Sequence, residues 1–142
     1  MKAIKITEFG GPEVMHYIDV EEPIAKDGEV ILEVTGIGIN YADTHQTEDS
    51  YLSKQELPLI PGLEVVGTFE GKRYLAGAPS AYAERVAVPQ NQLIPIPDRI
   101  SDGQALATFV QGTTAWHILK TMGHLRSGES VLIHAAAGGV GT

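Results

Sequence analysis

Residues 130–141 read SVLIHAAAGGVG, an apolar run that passes directly into a glycine-rich segment. The run over residues 130–136 is apolar on both faces, which is typical of a central parallel strand covered by helices. After it, Ala136, Gly138 and Gly141 fill the spacing G-x-G-x-x-G, with alanine in the first place. A strand that leads into such a loop predicts a cradle for the phosphates of a dinucleotide. A glycine-rich turn without a ligand is the alternative that this stretch alone leaves open.

A complete cradle also needs a helix after the glycines, and a parallel strand needs neighbours reached through crossover connections of about a dozen residues or more. The sequence gives neither after Thr142. We therefore expect the chain to be the front part of a larger nicotinamide enzyme. We also expect the 142-residue chain to be inactive on its own.

The sequence before residue 99 reads as short strands separated by turns. Alternating or apolar runs predict extended segments over residues 2–9, 14–21, 29–34, 65–69, 72–75, 82–88 and 93–98. Glu70-Gly71 separates two of these runs and predicts a tight hairpin. Ser101 and Gln104 match a capping box, so a helix is predicted from there. We expect Gly112 to interrupt it and a second helix to end near Gly123.

Composition excludes several classes of protein. The chain has 142 residues, a formal net charge of -8 and no cysteine, so a disulfide framework is ruled out. No apolar stretch approaches the roughly 18 residues of a membrane span, and we expect no membrane partner. Polyanion binding needs clustered Lys and Arg, which makes nucleic acid an unexpected partner. We expect a cytoplasmic protein by default.

Six short motifs occur in an order that resembles a known family. They are GGPEV at 10–14, GINYAD at 38–43, LPLIPGLEVVG at 57–67, YAE at 82–84, GTTA at 112–115 and AAAGGVG at 135–141. Together they resemble the N-terminal part of the zinc-free, zeta-crystallin-like quinone oxidoreductases of the medium-chain dehydrogenase/reductase superfamily. The resemblance covers nearly all of this chain but less than half of a typical family member.

The resemblance implies a fold, a cofactor and an activity. It implies a β-rich GroES-like catalytic domain (α+β) over residues 1–110, followed over residues 111–142 by the truncated start of an α/β Rossmann domain. The implied cofactor is NADPH, bound in the cleft between the two domains. Its hydride would pass to a quinone or a related conjugated carbonyl, and the full-length protein would be a homodimer.

Zinc-dependent relatives use cysteine ligands and a histidine in a G-H-E motif. This chain has no cysteine, and Leu63 stands where that histidine would be. We therefore expect no metal site. Without a Lewis acid the acceptor must already be electrophilic, a condition that quinones and enones meet.

The resemblance also implies roles for individual residues. Asn40 and Tyr51 would be catalytic, with Asn40 reaching the nicotinamide or substrate and Tyr51 lining the substrate pocket. Thr114 would lie near the nicotinamide, and Gly138, Gly139, Val140 and Gly141 would approach the pyrophosphate through their backbone. The alternatives are a helix N-cap for Asn40, an exposed loop tyrosine for Tyr51 and an ordinary helix-start threonine for Thr114.

Some assignments stay open in the sequence. Asp43 is either a structural hydrogen-bond acceptor or a residue that takes part in the chemistry. His45 is either a proton donor or, as we expect, a solvent-facing histidine. Residues 47–51, TEDSY, replace the family's R-x-G-x-Y and add two acids near the expected pocket rim. An enoyl or alkenal reductase is an alternative activity. A binding or structural protein that keeps the fold is another.

Overall fold

The computed structural model describes residues Met1–Thr142. Seven strands form two antiparallel sheets. The strands are β1 (Lys2–Lys5), β2 (His16–Asp19), β3 (Glu29–Ile37), β4 (Glu64–Phe69), β5 (Lys72–Gly77), β6 (Arg85–Pro89) and β7 (Ile94–Pro95). The small sheet pairs β1 with β2, and the large sheet has the order β6-β3-β4-β5-β7. The prediction of a β-rich domain is confirmed.

Sequence alternation explains the central strand of the large sheet. In β3, Val30 and Leu32 are buried, whereas Glu33 between β4 and β6 is exposed. Successive side chains of a strand point to opposite faces, so the apolar set fills the core and the charged set meets water. Ala3 of β1 belongs to the same buried cluster as Leu32, which shows that the small sheet packs on the large one.

The predicted hairpin forms between β4 and β5. Glu70 and Gly71 make the turn, with φ angles of 50° and 73°. A two-residue turn with both φ angles positive matches the twist of antiparallel strands. Glycine tolerates this region freely, and it occupies the second position here. The turn fixes the register that pairs Glu64 with Gly77 at the far end of the hairpin.

A continuous helical run follows the sheets and differs from the prediction. It consists of α2 (Asp102–Ala107), a π turn (Thr108–Gly112), α3 (Thr113–Trp116) and a second π turn (His117–Met122). The predicted capping box is confirmed, because the Gln104 N–H donates to Ser101 Oγ at 3.2 Å and the Ser101 N–H donates to Gln104 Oε1 at 3.0 Å. The expected break at Gly112 is wrong, since its φ of -66° is helical and the chain continues through it.

Residues 130–136, expected to be a buried strand, do not form one. Leu132 is 81% exposed and Val131 is 51% exposed. A strand is stabilised by hydrogen bonds to a neighbouring strand, and neither sheet includes this stretch. Its side chains instead lie beside Ile118 and Leu119 of the helical run, across a cavity of about 400 Å³.

The predicted domain boundary after residue 110 falls inside the first π turn. The division into two domains stays a prediction. None of the helices has both the length and the apolar character that a bilayer crossing requires.

Candidate functional site

A short helix after β3 begins beside Asn40, one of the two predicted catalytic residues. It is α1 (Tyr41–Thr47), and Asn40 occupies its N-cap position. The Asn40 backbone N–H donates to Asp43 Oδ2 at 2.8 Å, and the Tyr82 hydroxyl donates to the same oxygen at 2.9 Å. Asp43 is 5% exposed. The structure therefore uses Asp43 as a hydrogen-bond acceptor that ties the start of α1 to Tyr82.

The hydrogen bond from Tyr82 has an electrostatic consequence. Burial, and secondly the hydrogen bond to Asp43, raise the pKa of the Tyr82 phenol above its ordinary value. Burial disfavours the charged phenolate, and the neighbouring carboxylate disfavours it further. Tyr82 therefore acts as a neutral hydrogen-bond donor at physiological pH.

The Asn40 side chain faces a buried glutamate. Its Nδ2 donates to Glu64 Oε1 at 2.7 Å. Glu64 stands at the first position of β4 and is 1% exposed. Its second oxygen, Oε2, accepts the backbone N–H of Val110 at 3.1 Å. One carboxylate thus joins the N-cap of α1 to the first π turn. We call Asn40, Asp43, Glu64, Tyr82 and Val110 the Glu64 cluster.

Two sequence motifs interlock at this carboxylate. A Cβ atom at Gly38 would lie 2.2 Å from Glu64 Oε1 and 2.4 Å from its Cγ. Real Cβ contacts are never that short, so Gly38 leaves the space in which the carboxylate sits. The backbone N–H of Gly38 also donates to the Glu64 carbonyl at 3.1 Å. Gly38 and Asn40 of the GINYAD motif therefore both contact Glu64.

Thr114 lies one turn beyond Val110 in the helical run. Its hydroxyl donates to the Val110 carbonyl at 2.5 Å. Such a bond to the preceding turn is common for threonine in a helix. Thr114 is half-buried and lies within the run rather than at a helix start. It is connected to Asn40 through Val110 and Glu64.

Gln111 brings the predicted cofactor residues close to this cluster. A cavity of about 310 Å³ is lined by Glu64, Gln111 and residues of β3 and α2. A Cβ atom at Gly139 would lie 2.7 Å from the Gln111 side chain, so the glycine permits close contact there. Gln111 therefore lies close to Gly139 and shares a cavity with Glu64.

The glycine segment, residues 135–142, consists of hydrogen-bonded turns. The Gly138 N–H donates to the Ala135 carbonyl at 2.8 Å, and the Thr142 N–H donates to the Gly138 carbonyl at 3.0 Å. The N–H groups of Gly139 and Val140 donate to no acceptor in the protein. Two neighbouring free N–H donors suit an anion such as a phosphate.

His45 lies on α1 and Tyr51 lies in the loop that follows it, and neither side chain forms a hydrogen bond with the Glu64 cluster. Tyr51 is half-buried in the loop after α1 and does not line the cavity of about 360 Å³ beside Asn40. The His45 ring nitrogen Nδ1 lies 2.7 Å from Ser50 Oγ, and its ring packs edge-on against Tyr41 with centroids 5.0 Å apart. The structure does not bring Tyr51 together with Asn40.

Sequence reasoning missed Glu64, Tyr82 and Gln111 as parts of the site. Glu64 and Tyr82 lie within motifs that were used only for the resemblance. No local pattern distinguishes Glu64, because Glu33, which also directly precedes a valine, is exposed. The same holds for Gln111.

Comparison with known proteins agrees with this architecture. A family model described as the alcohol dehydrogenase GroES-like domain matches residues 26–72. The quinone oxidoreductase of Thermus thermophilus, solved also in complex with NADPH, superimposes with a TM-score of 0.91 at 42% identity. Over nearly all of its length the chain is therefore similar to part of the quinone oxidoreductases, and it contains a segment of the alcohol dehydrogenase GroES-like domain.

Two further relatives extend the comparison. A quinone oxidoreductase from Pseudomonas aeruginosa is 35% identical over 153 residues. The human synaptic vesicle membrane protein VAT-1 homolog-like is 32% identical over 153 residues. The matches cover 99% of this chain, but 47% of the Thermus and Pseudomonas proteins and 36% of the human one. The chain thus spans about half the length, or less, of the curated relatives it matches.

Proposed function

We propose that this chain forms the substrate side of an NADPH-dependent oxidoreductase that transfers hydride to a quinone or a related conjugated carbonyl without zinc. The observation that carries the proposal is the similarity to a quinone oxidoreductase solved with NADPH, over 99% of this chain at a TM-score of 0.91. The activity belongs to the full-length protein. We expect that protein to be a cytoplasmic homodimer with no nucleic-acid or membrane partner.

The glycine segment fits the phosphates of the proposed cofactor. Gly138, Gly139, Val140 and Gly141 would hold the pyrophosphate, because the N–H groups of Gly139 and Val140 have no acceptor in the protein. A Cβ atom at Gly141 would lie 2.5 Å from the Ala135 carbonyl oxygen, so the close-packed turn requires glycine. When bound, NADPH supplies the hydride for reduction of the acceptor.

The Glu64 cluster would form the opposite wall of the cofactor cleft. Asn40 is held by Glu64 at 2.7 Å, and Thr114 is linked to the same carboxylate through Val110. Fixed polar groups of this kind orient the nicotinamide and the acceptor for transfer. Tyr51 would contribute to the pocket rim, which Glu48 and Asp49 make acidic.

The donor set supports chemistry without a catalytic metal ion. The chain has no cysteine, and Leu63 precedes Glu64 where zinc-dependent relatives carry a histidine ligand. No group of three or more His, Cys, Asp or Glu side chains lies together in a way that could hold a metal ion. Glu64 uses both of its oxygens for hydrogen bonds to N–H donors. An acceptor that is already electrophilic needs no Lewis acid.

Steady-state oxidation of NADPH by the full-length protein tests the proposal. We expect turnover with a simple quinone, and no loss of rate after treatment with a metal chelator. One quinone takes two electrons and two protons from NADPH and solvent to become the hydroquinone. NADH run in parallel reports the cofactor preference.

A short enone serves as the matched acceptor in the same assay. Faster turnover of the enone would assign the protein as an enoyl or alkenal reductase. Saturable NADPH binding without turnover of either acceptor would favour a binding or structural role. Loss of activity on chelation would contradict the zinc-free reaction.

A further inference from the structure

Glu64 is buried without a cationic partner, and it is not one of the residues to which sequence motifs assign a role. It is 1% exposed, and no ion pair is formed by it. Burying a carboxylate in this way is expensive unless hydrogen bonds compensate for the lost water. Here each oxygen accepts one N–H, from Asn40 at 2.7 Å and from Val110 at 3.1 Å.

These two donors belong to different elements of the wall that the Glu64 cluster would form. Asn40 stands at the start of α1, and Val110 lies in the π turn that precedes Thr114. π turns inside helices occur frequently at functional sites. A single rigid carboxylate therefore sets the spacing between Asn40 and the part of the helical run that carries Thr114.

We propose that Glu64 is a positioning residue that orients the Asn40 amide and holds the Val110 turn against it. The proposal rests on the proposed oxidoreductase function. Because Glu64 offers only acceptors, the Asn40 side chain must turn its Nδ2 group toward it, which fixes the amide in one of its two orientations. Glutamine at position 64 has one oxygen and one NH2 group. Only its oxygen can accept a hydrogen bond, so it keeps one of the two contacts that Glu64 makes as an acceptor.

The test uses four variants of the full-length protein: Glu64→Gln, Asn40→Ala, the double variant of these, and Glu70→Gln as a matched control. Glu70 lies exposed at the tip of the hairpin and takes no part in the site. We expect Glu64→Gln to lower kcat with a quinone by about 10- to 100-fold, the scale of loss that follows from a misplacement of about 1 Å. We expect its KM for NADPH and the kcat of Glu70→Gln to stay within about twofold of wild type.

The double variant separates positioning from general destabilisation. If Glu64 acts through Asn40, then Glu64→Gln has little further effect once Asn40 is alanine. In that background we expect Glu64→Gln to lower kcat by no more than about twofold. An equal loss in both backgrounds would overturn the proposal, because a structural effect would not depend on Asn40. A kcat of Glu64→Gln within about twofold of wild type would overturn it as well.

A reversed pair covers the case in which Glu64→Gln does not fold. In Asn40→Asp with Glu64→Gln, the new amide donates to the new carboxylate, and the glutamine oxygen can still accept the Val110 N–H. We expect this double variant to fold but not to recover turnover, because the Asn40 amide that would face the cofactor is absent. If it stays unfolded, the proposal is wrong.

NMR of the Asn40 side-chain amide distinguishes failure of this proposal from failure of the proposed function. In the full-length wild-type protein we expect a slowly exchanging Asn40 amide hydrogen that exchanges rapidly in Glu64→Gln. A wild-type protein that fails to oxidise NADPH with any acceptor would overturn the proposed function, and with it the expected effect of Glu64 on kcat. The NMR result would still show whether the Asn40 side chain is hydrogen-bonded to Glu64. Rapid exchange in wild type would overturn the positioning proposal even if turnover is observed.

Discussion

The Glu64 cluster and the stretch 130–142 both match family motifs, yet they differ in how much of their structure comes from neighbouring elements. Glu64 receives hydrogen bonds from two other elements and is 1% exposed. Leu132, in the apolar run over residues 130–136, is 81% exposed and lies in no sheet. A motif gains a defined structure when its hydrogen-bond partners are present beside it, since an isolated strand has nothing to pair with.

Leu32 and Leu132 allow the sharpest test of this comparison, because one is buried and the other is exposed. Leu32 is 0% exposed in β3, whereas Leu132 is 81% exposed. We expect Leu32→Ala to lower the free energy of unfolding of the 142-residue chain by about 3 to 4 kcal/mol, because it leaves a cavity in the core. We expect Leu132→Ala to change it by less than about 0.5 kcal/mol. Urea unfolding followed by circular dichroism measures both, and a comparable loss for Leu132→Ala would break the comparison.

Asp43 tests how strongly the cluster depends on its shared acceptor. Its Oδ2 accepts from the Asn40 N–H and the Tyr82 hydroxyl. We expect Asp43→Ala to lower the free energy of unfolding by about 3 kcal/mol, since two buried donors lose their partner. Asp43→Asn keeps one oxygen for both donors, so its loss should be smaller in the same urea titration. Equal losses for the two variants would contradict the shared-acceptor role.

Alanine substitution at Gly38, with Gly103 as the control, tests how closely Gly38 packs against Glu64. A Cβ atom at Gly38 would lie 2.2 Å from the Glu64 carboxylate, while one at Gly103 of α2 would meet nothing within 4 Å. We expect Gly38→Ala to lower the free energy of unfolding by about 2 kcal/mol through overpacking. We expect Gly103→Ala to raise it by about 0.5 to 1 kcal/mol, because alanine favours the helix. Thermal unfolding of the two variants compares them, and a neutral Gly38→Ala would show that the carboxylate can move aside.

The smallest expected effect concerns pH. The pKa of Tyr82 is raised by burial and by the hydrogen bond to Asp43. An unfolded tyrosine ionises near pH ~10. The folded protein therefore holds this proton when the unfolded chain has lost it, and the stabilisation from Tyr82, fully present below pH ~10, is lost as pH rises beyond that value. Thermal unfolding of wild type and Tyr82→Phe between pH about 9 and 11 should show the steeper decline in wild type. Parallel declines would contradict the assigned pKa direction.

Local patterns in the sequence predicted most of the fold. The Glu70-Gly71 turn, the alternation in β3 and the Ser101 capping box each depend on a few neighbouring residues, and all three are confirmed. Gly112 was misjudged because the cost of a glycine inside a helix, roughly 0.5 to 1 kcal/mol relative to alanine, is small enough for the surrounding structure to override. Residues 130–136 were misjudged because apolar character predicts burial only where a neighbouring strand is present.

The site was less predictable than the fold. Asn40 was identified from its motif, but its partner Glu64 lies 24 residues away along the chain. Contacts of this range are determined by sheet register, which the local pattern does not encode. Gln111 and Gly139 are also far apart along the chain, and neither lies in a strand. The roles of Tyr51, Thr114 and the four residues of the glycine segment stay predictions.

A crystal structure of the full-length protein with NADPH would test the central claim most directly. The account predicts that the nicotinamide lies against Asn40, with the Asn40 Nδ2 still bonded to Glu64. It also predicts that the pyrophosphate accepts from the N–H groups of Gly139 and Val140. A cofactor whose pyrophosphate lies away from the glycine segment, or whose nicotinamide lies away from Asn40, would contradict the account.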